Sequence, residues 1–395
     1  MRPVGVIIEE EKMAERRIRV GLLGANPEKG WGSAVHIPAI ATLPAFTLEA
    51  VGTTRQQSAE ESARRFGARL AFSDARALTS HPDIDLVAIT VKAPEHYPLA
   101  MMALEAGKHV FCEWPLAATL TQATEMRDLA AKKGVKAMVG LQARAAPAIM
   151  QAHALVNASY VGRVIAVRMA CALPGGGGRR SQEGLYVIDK ANGASTMAIQ
   201  GGHAIDALRF VVGDFAGLSA VVANQFRSVE VIETGEIRAK DAPDQILVSG
   251  QLCNEAVVSI TINGGAVAGH AIEIKIFGTE GTLSISGQGG LNFQMSELVL
   301  EGARSPSRTL APLDIPAALD RQDIDKDFKG RQPYPGVDVP RATIVNVTNL
   351  YERLGRAILE NAPLDPDFGI ATEMHRLLDA IEQASATGRY QIFGS

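Results

Sequence analysis

The sequence predicts an α/β domain built on a parallel sheet, followed by an α+β domain with a large, mostly antiparallel open sheet. Three observations predict it. Over residues 17–148 strand-like apolar runs alternate with helix-like ones, the pattern of right-handed crossovers in a parallel sheet. From about residue 150 the strand-like runs follow one another almost without helices, as antiparallel strands do. The length, 395 residues, exceeds one ordinary domain.

Residues 1–16 read as a tail. "RIRVGLLGA" (17–25) is a β-rich run that breaks at glycine, and "AFTLEAVGTT" (45–54) is a second strand. Ser58-Ala59-Glu60-Glu61 predicts a capping box, and Phe66-Gly67 a glycine C-cap. "DLVAITV" (85–91) is almost unbroken in apolarity, as a strand buried on both faces requires. Pro94 opens the next helix, whose Tyr97, Met101 and Leu104 share a face, and Gly107 closes it. "KHVFCE" (108–113) is a strand; Thr119 to Gln122 is a capping box; Lys132-Lys133-Gly134 is a basic last turn with a glycine stop. "KAMVGLQ" (136–142) completes the alternation.

The second region, 149–395, holds strand candidates at 163–171, 218–226, 245–252, 256–262, 271–278 and 281–287. Between the first two lies a helix whose Ile205, Leu208 and Val212 share a face. Helical patterns return at 341–361 and 370–387, and these C-terminal helices are candidates to pack back on the first domain. The stretch 302–340 is rich in proline, charge and glycine and reads as a long loop, functional or an oligomer arm.

Composition narrows the function classes. Hydrophobic residues make up 47% and charged residues 21%, with a formal net charge of −4. That is the balance of a globular protein with a large core. Even the densest basic stretches, such as Arg16-Arg17 and Arg179-Arg180, are only pairs, so binding of nucleic acid through phosphate neutralisation is not expected. The three cysteines lie far apart with no CxxC spacing, which points away from a disulfide framework or a metal site and towards a reducing cytoplasm. Val4–Ile8 is too short for a secretion signal, and no apolar run approaches a membrane span.

Candidate chemistry gathers at the strand ends, where ligands of parallel sheets bind. The first strand runs into Gly21, Gly24, Gly30 and Gly32 before a helix near Ser33. That is the setting of a dinucleotide-binding turn of the Rossmann kind, in which glycines let the backbone approach a pyrophosphate. The strict spacing is not met, because Asn26 and Pro27 follow Gly24, and Lys29-Gly30-Trp31 form an insert. At the second strand end Thr53, Thr54 and Arg55 stand where an acid would bind the ribose of NAD, so NADP is the expected cofactor, with NAD possible. The fourth such end carries Glu113-Trp114-Pro115. Val91, His96 and Gln142 are further cofactor candidates. Arg144, Tyr186, Asn192 and Asp206 are candidates for contact with substrate.

A glycine turn with "HIPAI", an E-x-P strand end and a G-x-H-x-x-D segment before a β-rich region together resemble the glucose-fructose oxidoreductase/inositol dehydrogenase (Gfo/Idh/MocA) family. The resemblance runs over essentially the whole chain from Arg17. "KGWGSAVHIPAI", "EWPLAATLTQA", "GVKAMVGLQAR" and "GGHAIDAL" are most similar to its branch containing the yeast galactose-regulon repressor, which binds NAD(P) but acts as a regulator. The resemblance implies a Rossmann domain followed by a domain whose open sheet supports the substrate pocket and often an oligomer interface, here a homo-dimer or tetramer. By position it gives Glu113 and Pro115 the places of the family's Glu-Lys-Pro, where glutamate contacts the nicotinamide ribose and lysine assists proton transfer. Trp114 occupies the lysine's place. His203 and Asp206 match the G-x-H-x-x-D segment, whose histidine faces the reacting carbon, and Ile199 stands where an aspartate is usual.

Two of three acid–base groups are thus missing. His203 remains the best candidate for moving the hydroxyl proton, with an unperturbed pKa near ~6.5. Lys190, close to Tyr186 and Asp189, is a candidate replacement for the lysine. The leading expectation is an NAD(P)-dependent oxidoreductase acting on a sugar, polyol or related hydroxylated small molecule. The alternative is a dinucleotide-binding, ligand-sensing regulator without turnover. A third reading is a glycosidase or lyase that uses tightly held NAD⁺ for transient oxidation.

Overall fold

A computed structural model describes residues 17–325, 332 and 338–393. The expected tail over 1–16 and much of the end of the 302–340 stretch lie outside them. The first sheet has six parallel strands in the order β3-β2-β1-β4-β5-β6. They are β1 (Ile18–Leu23), β2 (Phe46–Gly52), β3 (Leu70–Phe72), β4 (Leu86–Ile89), β5 (His109–Glu113) and β6 (Ala137–Gly140). All four side chains of β4 are fully buried, because helices cover both faces of the sheet. The order reverses between β1 and β4, and a crevice opens there at the carboxyl ends of the strands.

The crossover helices are α1 (Ile37–Ala41), α2 (Gln56–Phe66), α3 (Ala75–Thr79), α4 (His96–Glu105) and α5 (Leu120–Lys133). Thr119 caps α5 by accepting from the Gln122 amide, and Gly134 ends it at φ 65°. Gly67 likewise ends α2 at φ 74°. The start expected at Ser58 is corrected: α2 begins at Gln56 after Arg55. The Ser58 hydroxyl is drawn inside the helix by the Arg55 carbonyl at 2.8 Å and by Thr53 Oγ1 at 2.6 Å.

After α6 (Pro147–Asn157) the chain builds a nine-stranded sheet in the order β17-β16-β15-β14-β7-β13-β12-β9-β18, which includes β9 (Phe215–Ala223), β15 (Gly281–Gln288) and β18 (Gln391–Ile392). Its central strands are β7 (Val164–Leu173), β13 (Val257–Gly264), β12 (Gln245–Leu252) and β14 (Ala271–Gly278). Only the β7–β13 pair among these is parallel. Alternation sends Ile246 and Val248 inwards. Leu247, Val221 and Val257 are left on an open outer face. α7 (Gly202–Val212) and α9 (Phe368–Thr387) contribute to the core under the inner face. α8 (Arg341–Leu359) instead lies on the first sheet, where Ile344, Val347, Leu350, Tyr351 and Leu354 join Ile18, Val20, Leu22 and Phe111 in one core. The stretch 302–340 is not all loop: it contains the end of β16 (Val299–Arg304) and β17 (Ala311–Pro312).

Candidate cofactor and substrate site

At the end of β1, Gly24 has φ +100°, and a Cβ there would lie 3.0 Å from the Thr90 carbonyl oxygen. Both conformation and space therefore require glycine. A Cβ on Gly32 would come within 2.4 Å of Thr90 Oγ1. Gly30, at φ +97°, meets nothing nearer than 3.8 Å and leaves its side open towards the cleft. The insert is folded back by Asn26, whose Oδ1 accepts from the amides of Glu28 (2.9 Å) and Lys29 (3.2 Å). The helix that follows opens as a wide turn over Gly32–His36, with the Ser33 hydroxyl donating to the Asn26 carbonyl.

These turns wall a cleft of about 620 Å³. Gly24, Asn26, Lys29, Gly30 and Trp31 form one side. Thr53 and Thr54 line it at the end of β2, and Thr90, Val91 and Lys92 after β4. Glu183, from the second region, crosses the cleft and pairs with Lys29. Arg55 lies just beyond the lining, exposed, with no ion pair for its guanidinium among the described residues.

The carboxylate of Glu113 is held from two sides. Gln142 Nε2 donates to its oxygens at 2.9 and 2.7 Å, and His36 Nε2 lies 2.8 Å from Oε1. A carboxylate only accepts, so His36 Nε2 carries a proton and donates to it, while Nδ1 lies 2.8 Å from the Tyr351 hydroxyl. Gly140 makes room for this arrangement, since a Cβ there would stand 2.7 Å from Glu113 Oε1. Sequence reading missed His36 and Tyr351. "HIPAI" was visible as a motif, but nothing local ties it to a tyrosine 315 residues away.

Trp114 is buried, and its indole N–H donates to the Ala198 carbonyl at 2.8 Å. One face rests on Gly202, where a Cβ would come within 2.3 Å of Nε1, and His375 lies 4.8 Å away between ring centroids. The indole thus packs between these groups, with its N–H already spent on the Ala198 carbonyl.

His203 is buried, and its Nδ1 finds no hydrogen-bond partner among the described residues. Burial lowers its pKa to about 4, although Glu113 and Asp206 pull the other way. The ring is therefore neutral near pH 7 and able to accept a proton. Burial lowers His375 to about 4 as well.

These histidines make a prediction about stability. Their unfolded pKa is near ~6.5, above the folded value, so the folded state favours the neutral form. That stability is complete above about pH 6.5 and is lost as pH falls towards 4, by roughly 3 kcal/mol per group below it. The urea midpoint of the wild type should fall across this window, and that of His375→Leu should fall less steeply. Parallel profiles would show that His375 is not buried as a neutral ring.

Several candidates stand elsewhere than expected. His96 is buried between two carbonyls, with Nδ1 2.7 Å from Pro115 O and Nε2 3.0 Å from Val91 O. Burial favours its neutral ring, which donates to only one of them, and His96 lies outside the cleft lining. Lys190 is corrected as a replacement base, because its ammonium is half exposed and pairs with Glu382 on α9 at 2.8 Å. Arg144 and Asp206 are corrected as substrate contacts, since they are buried against each other with bonds of 2.7 to 3.1 Å. Arg144 also reaches Asp365 at 3.0 Å. Asn192 donates to the Tyr186 carbonyl at 2.8 Å and so shapes the chain around Tyr186.

The residues present fit a dinucleotide. The glycine cradle, the hydroxyls at the end of β2, and the buried Nε1 of Trp31, without a partner among the described residues, all belong to one cleft. Among the described residues no group of three His, Cys, Asp or Glu is placed to hold a metal ion, and no helix is long and apolar enough to cross a membrane.

The comparisons agree with this geometry. Residues 18–141 match the oxidoreductase family with an NAD-binding Rossmann fold, and residues 147–287 match the Gal80p C-terminal domain. The galactose/lactose metabolism regulatory protein GAL80 of Saccharomyces cerevisiae is 31% identical over 328 residues, 75% of this chain and 74% of that protein. The levoglucosan dehydrogenase of Pseudarthrobacter phenanthrenivorans is 25% identical over 394 residues, 94% of this chain and 97% of that one. A solved levoglucosan dehydrogenase with NADH and levoglucosan shares the fold at TM-score 0.80 and 23% identity, over 96% of this chain and 100% of that one. The chain belongs to the Gfo/Idh/MocA oxidoreductase family, in its Gal80-like branch.

Proposed function

We propose that this chain is an NAD(P)-dependent oxidoreductase acting on a sugar, polyol or related hydroxylated small molecule. The observation that carries it is His203, a buried neutral imidazole with an unpartnered nitrogen, lying in the field of the braced carboxylate of Glu113. The name of the levoglucosan dehydrogenase, a sugar-derivative enzyme, supports the substrate class.

The glycine turn of Gly24–Trp31 would hold the cofactor's pyrophosphate, and Glu113, kept rigid by His36 and Gln142, its nicotinamide ribose. When bound, the nicotinamide supplies the hydride acceptor or donor. His203 takes up the hydroxyl proton as the carbinol is oxidised, and returns it in the reverse direction. Trp114 walls the site and keeps water from the buried side. The open face of the large sheet, with Val221, Leu247 and Val257 exposed, suits pairing of two copies, which light scattering measures.

NADP(H) binds more tightly than NAD(H) in this reading, because Arg55 has no carboxylate partner among the described residues and stands beside Thr53 and Thr54 at the end of β2. A charge-assisted contact to the 2′-phosphate is worth about 1.5–3 kcal/mol. Titrating NADPH and NADH while following Trp31 and Trp114 fluorescence tests both statements. Saturable quenching is expected, with Arg55→Ala weakening NADPH about ten- to a hundredfold and NADH little. No saturation at millimolar dinucleotide would sink the cofactor reading, and equal losses for both would sink the preference.

Trp114 favours a second reading. Its indole occupies the family lysine's place with its donor already used, and a dinucleotide-binding sensor without turnover needs no lysine there. Saturable cofactor binding without net reduction of NAD(P)⁺ by any sugar or polyol distinguishes it.

A further inference from the structure

Arg179 and Arg180 are adjacent in β8 (Arg179–Arg180), a short strand beside β10 (Ser228–Val231). Their side chains meet different fates. Arg179 reaches Glu230 at 3.4 Å on the surface. Arg180 turns inwards, its Nε is sealed from solvent without a hydrogen-bond partner, and no carboxylate pairs with it among the described residues. The phenol of Tyr186, kept neutral by burial, lies near it, and its stem lies near Gly184, where a Cβ would be 3.9 Å from Cδ.

Arg180 is half-buried with its Nε sealed, so its charge is held at a desolvation cost that a ligand bringing the opposite charge would offset. The surroundings say where that charge arrives. Tyr186 has no hydrogen bond to its hydroxyl among the described residues, while its ring lies 5.3 Å from the ammonium of Lys92. Lys92 lines the cleft, as does Glu183 from the same short turn, Gln182–Val187. Arg180 and Tyr186 therefore stand just outside the cleft lining, next to Glu183 and Lys92, one a planar donor fork and the other a hydroxyl donor. That pairing is complementary to a carboxylate or phosphate.

We propose that Arg180 and Tyr186 form a receptor for an oxyanion carried by the molecule bound in the cleft, so that the substrate is an acidic or phosphorylated sugar rather than a neutral polyol. The proposal rests on the oxidoreductase reading for the identity of that molecule. The chain's own geometry, a half-buried guanidinium and a phenol without a hydroxyl partner among the described residues, next to the cleft-lining Glu183 and Lys92, supplies the anion specificity.

Fluorescence titration of the NADP⁺-loaded protein with D-glucuronate, D-glucose 6-phosphate and D-glucose tests it, repeated without cofactor so that dinucleotide binding is read separately. At least one of the two anionic sugars should saturate at concentrations about tenfold or more below D-glucose. Arg180→Gln should remove most of that advantage and leave D-glucose unchanged, with Arg180→Lys intermediate and Tyr186→Phe losing a few fold. The same variants titrated with NADPH and NADH identify the other source of the oxyanion. A loss of about tenfold for both dinucleotides, with the sugars unchanged, would place the cofactor's pyrophosphate there and overturn the substrate assignment. Equal binding of charged and neutral sugars, unaltered with every ligand in Arg180→Gln and Tyr186→Phe, would overturn the receptor itself.

Discussion

His203→Asn is expected to lower turnover about 10²–10⁴-fold while leaving dinucleotide affinity within a fewfold of wild type. Asparagine retains polarity and nearly the same reach but cannot accept a proton near neutral pH. The cleft walls, Gly24, Lys29, Trp31 and Thr53, lie in other elements, so cofactor binding should persist. Burial lowers the His203 pKa to about 4, which places the titration of the free protein on the acid side. Activity of the wild type should therefore fall as pH drops towards 4, and the residual activity of His203→Asn should lack that limb. Unchanged turnover in the variant would move the proton acceptor to another residue.

Asp206→Ala should be the most destabilising single change near the site, by about 3–5 kcal/mol. Asp206 is fully buried and accepts three hydrogen bonds from Arg144. Its removal leaves a buried guanidinium whose only ion-pair partner among the described residues is Asp365, about 40% exposed. Replacing both charges together, Arg144→Met with Asp206→Leu, removes the uncompensated charge and should recover much of the loss. Urea midpoints for the two single variants and the double variant measure this. A loss below about 1 kcal/mol in Asp206→Ala would show that the pair does not bind the turn after β6 to α7.

Much of the fold was legible because the periodicities were clean. β12 and β14 begin and end where their alternation does, and the helix stops at Gly67 and Gly134 follow from glycine's access to positive φ. β3 was not legible, being three half-buried residues. Neither was α6, whose first turns, "PAIMQAHA", are too uniformly apolar and small for a periodic signal. The Ser58 start failed because its hydroxyl has better partners in Arg55 and Thr53.

The site was legible in part for a similar reason. Strand ends are local features, so Gly24, Gly30 and Glu113 could be located from spacing, and the structure brings their strand ends together. Long-range partnerships carry no local mark. Nothing around Arg144 or Asp206 announces that they satisfy each other across 62 residues. Nothing near Lys190 points to Glu382, and nothing near Arg180 shows that it lacks a carboxylate partner among the described residues.

The most direct measurement is the appearance of reduced nicotinamide when the purified wild type is given NADP⁺ or NAD⁺ and a panel of neutral, acidic and phosphorylated sugars and polyols. Sugar-dependent reduction with at least one member, absent in His203→Asn, is the expected result. The contradicting result is saturable dinucleotide binding with no reduction by any member, accompanied by a gain of turnover in Trp114→Lys. That outcome would make the natural chain a sensor whose tryptophan has replaced the catalytic lysine.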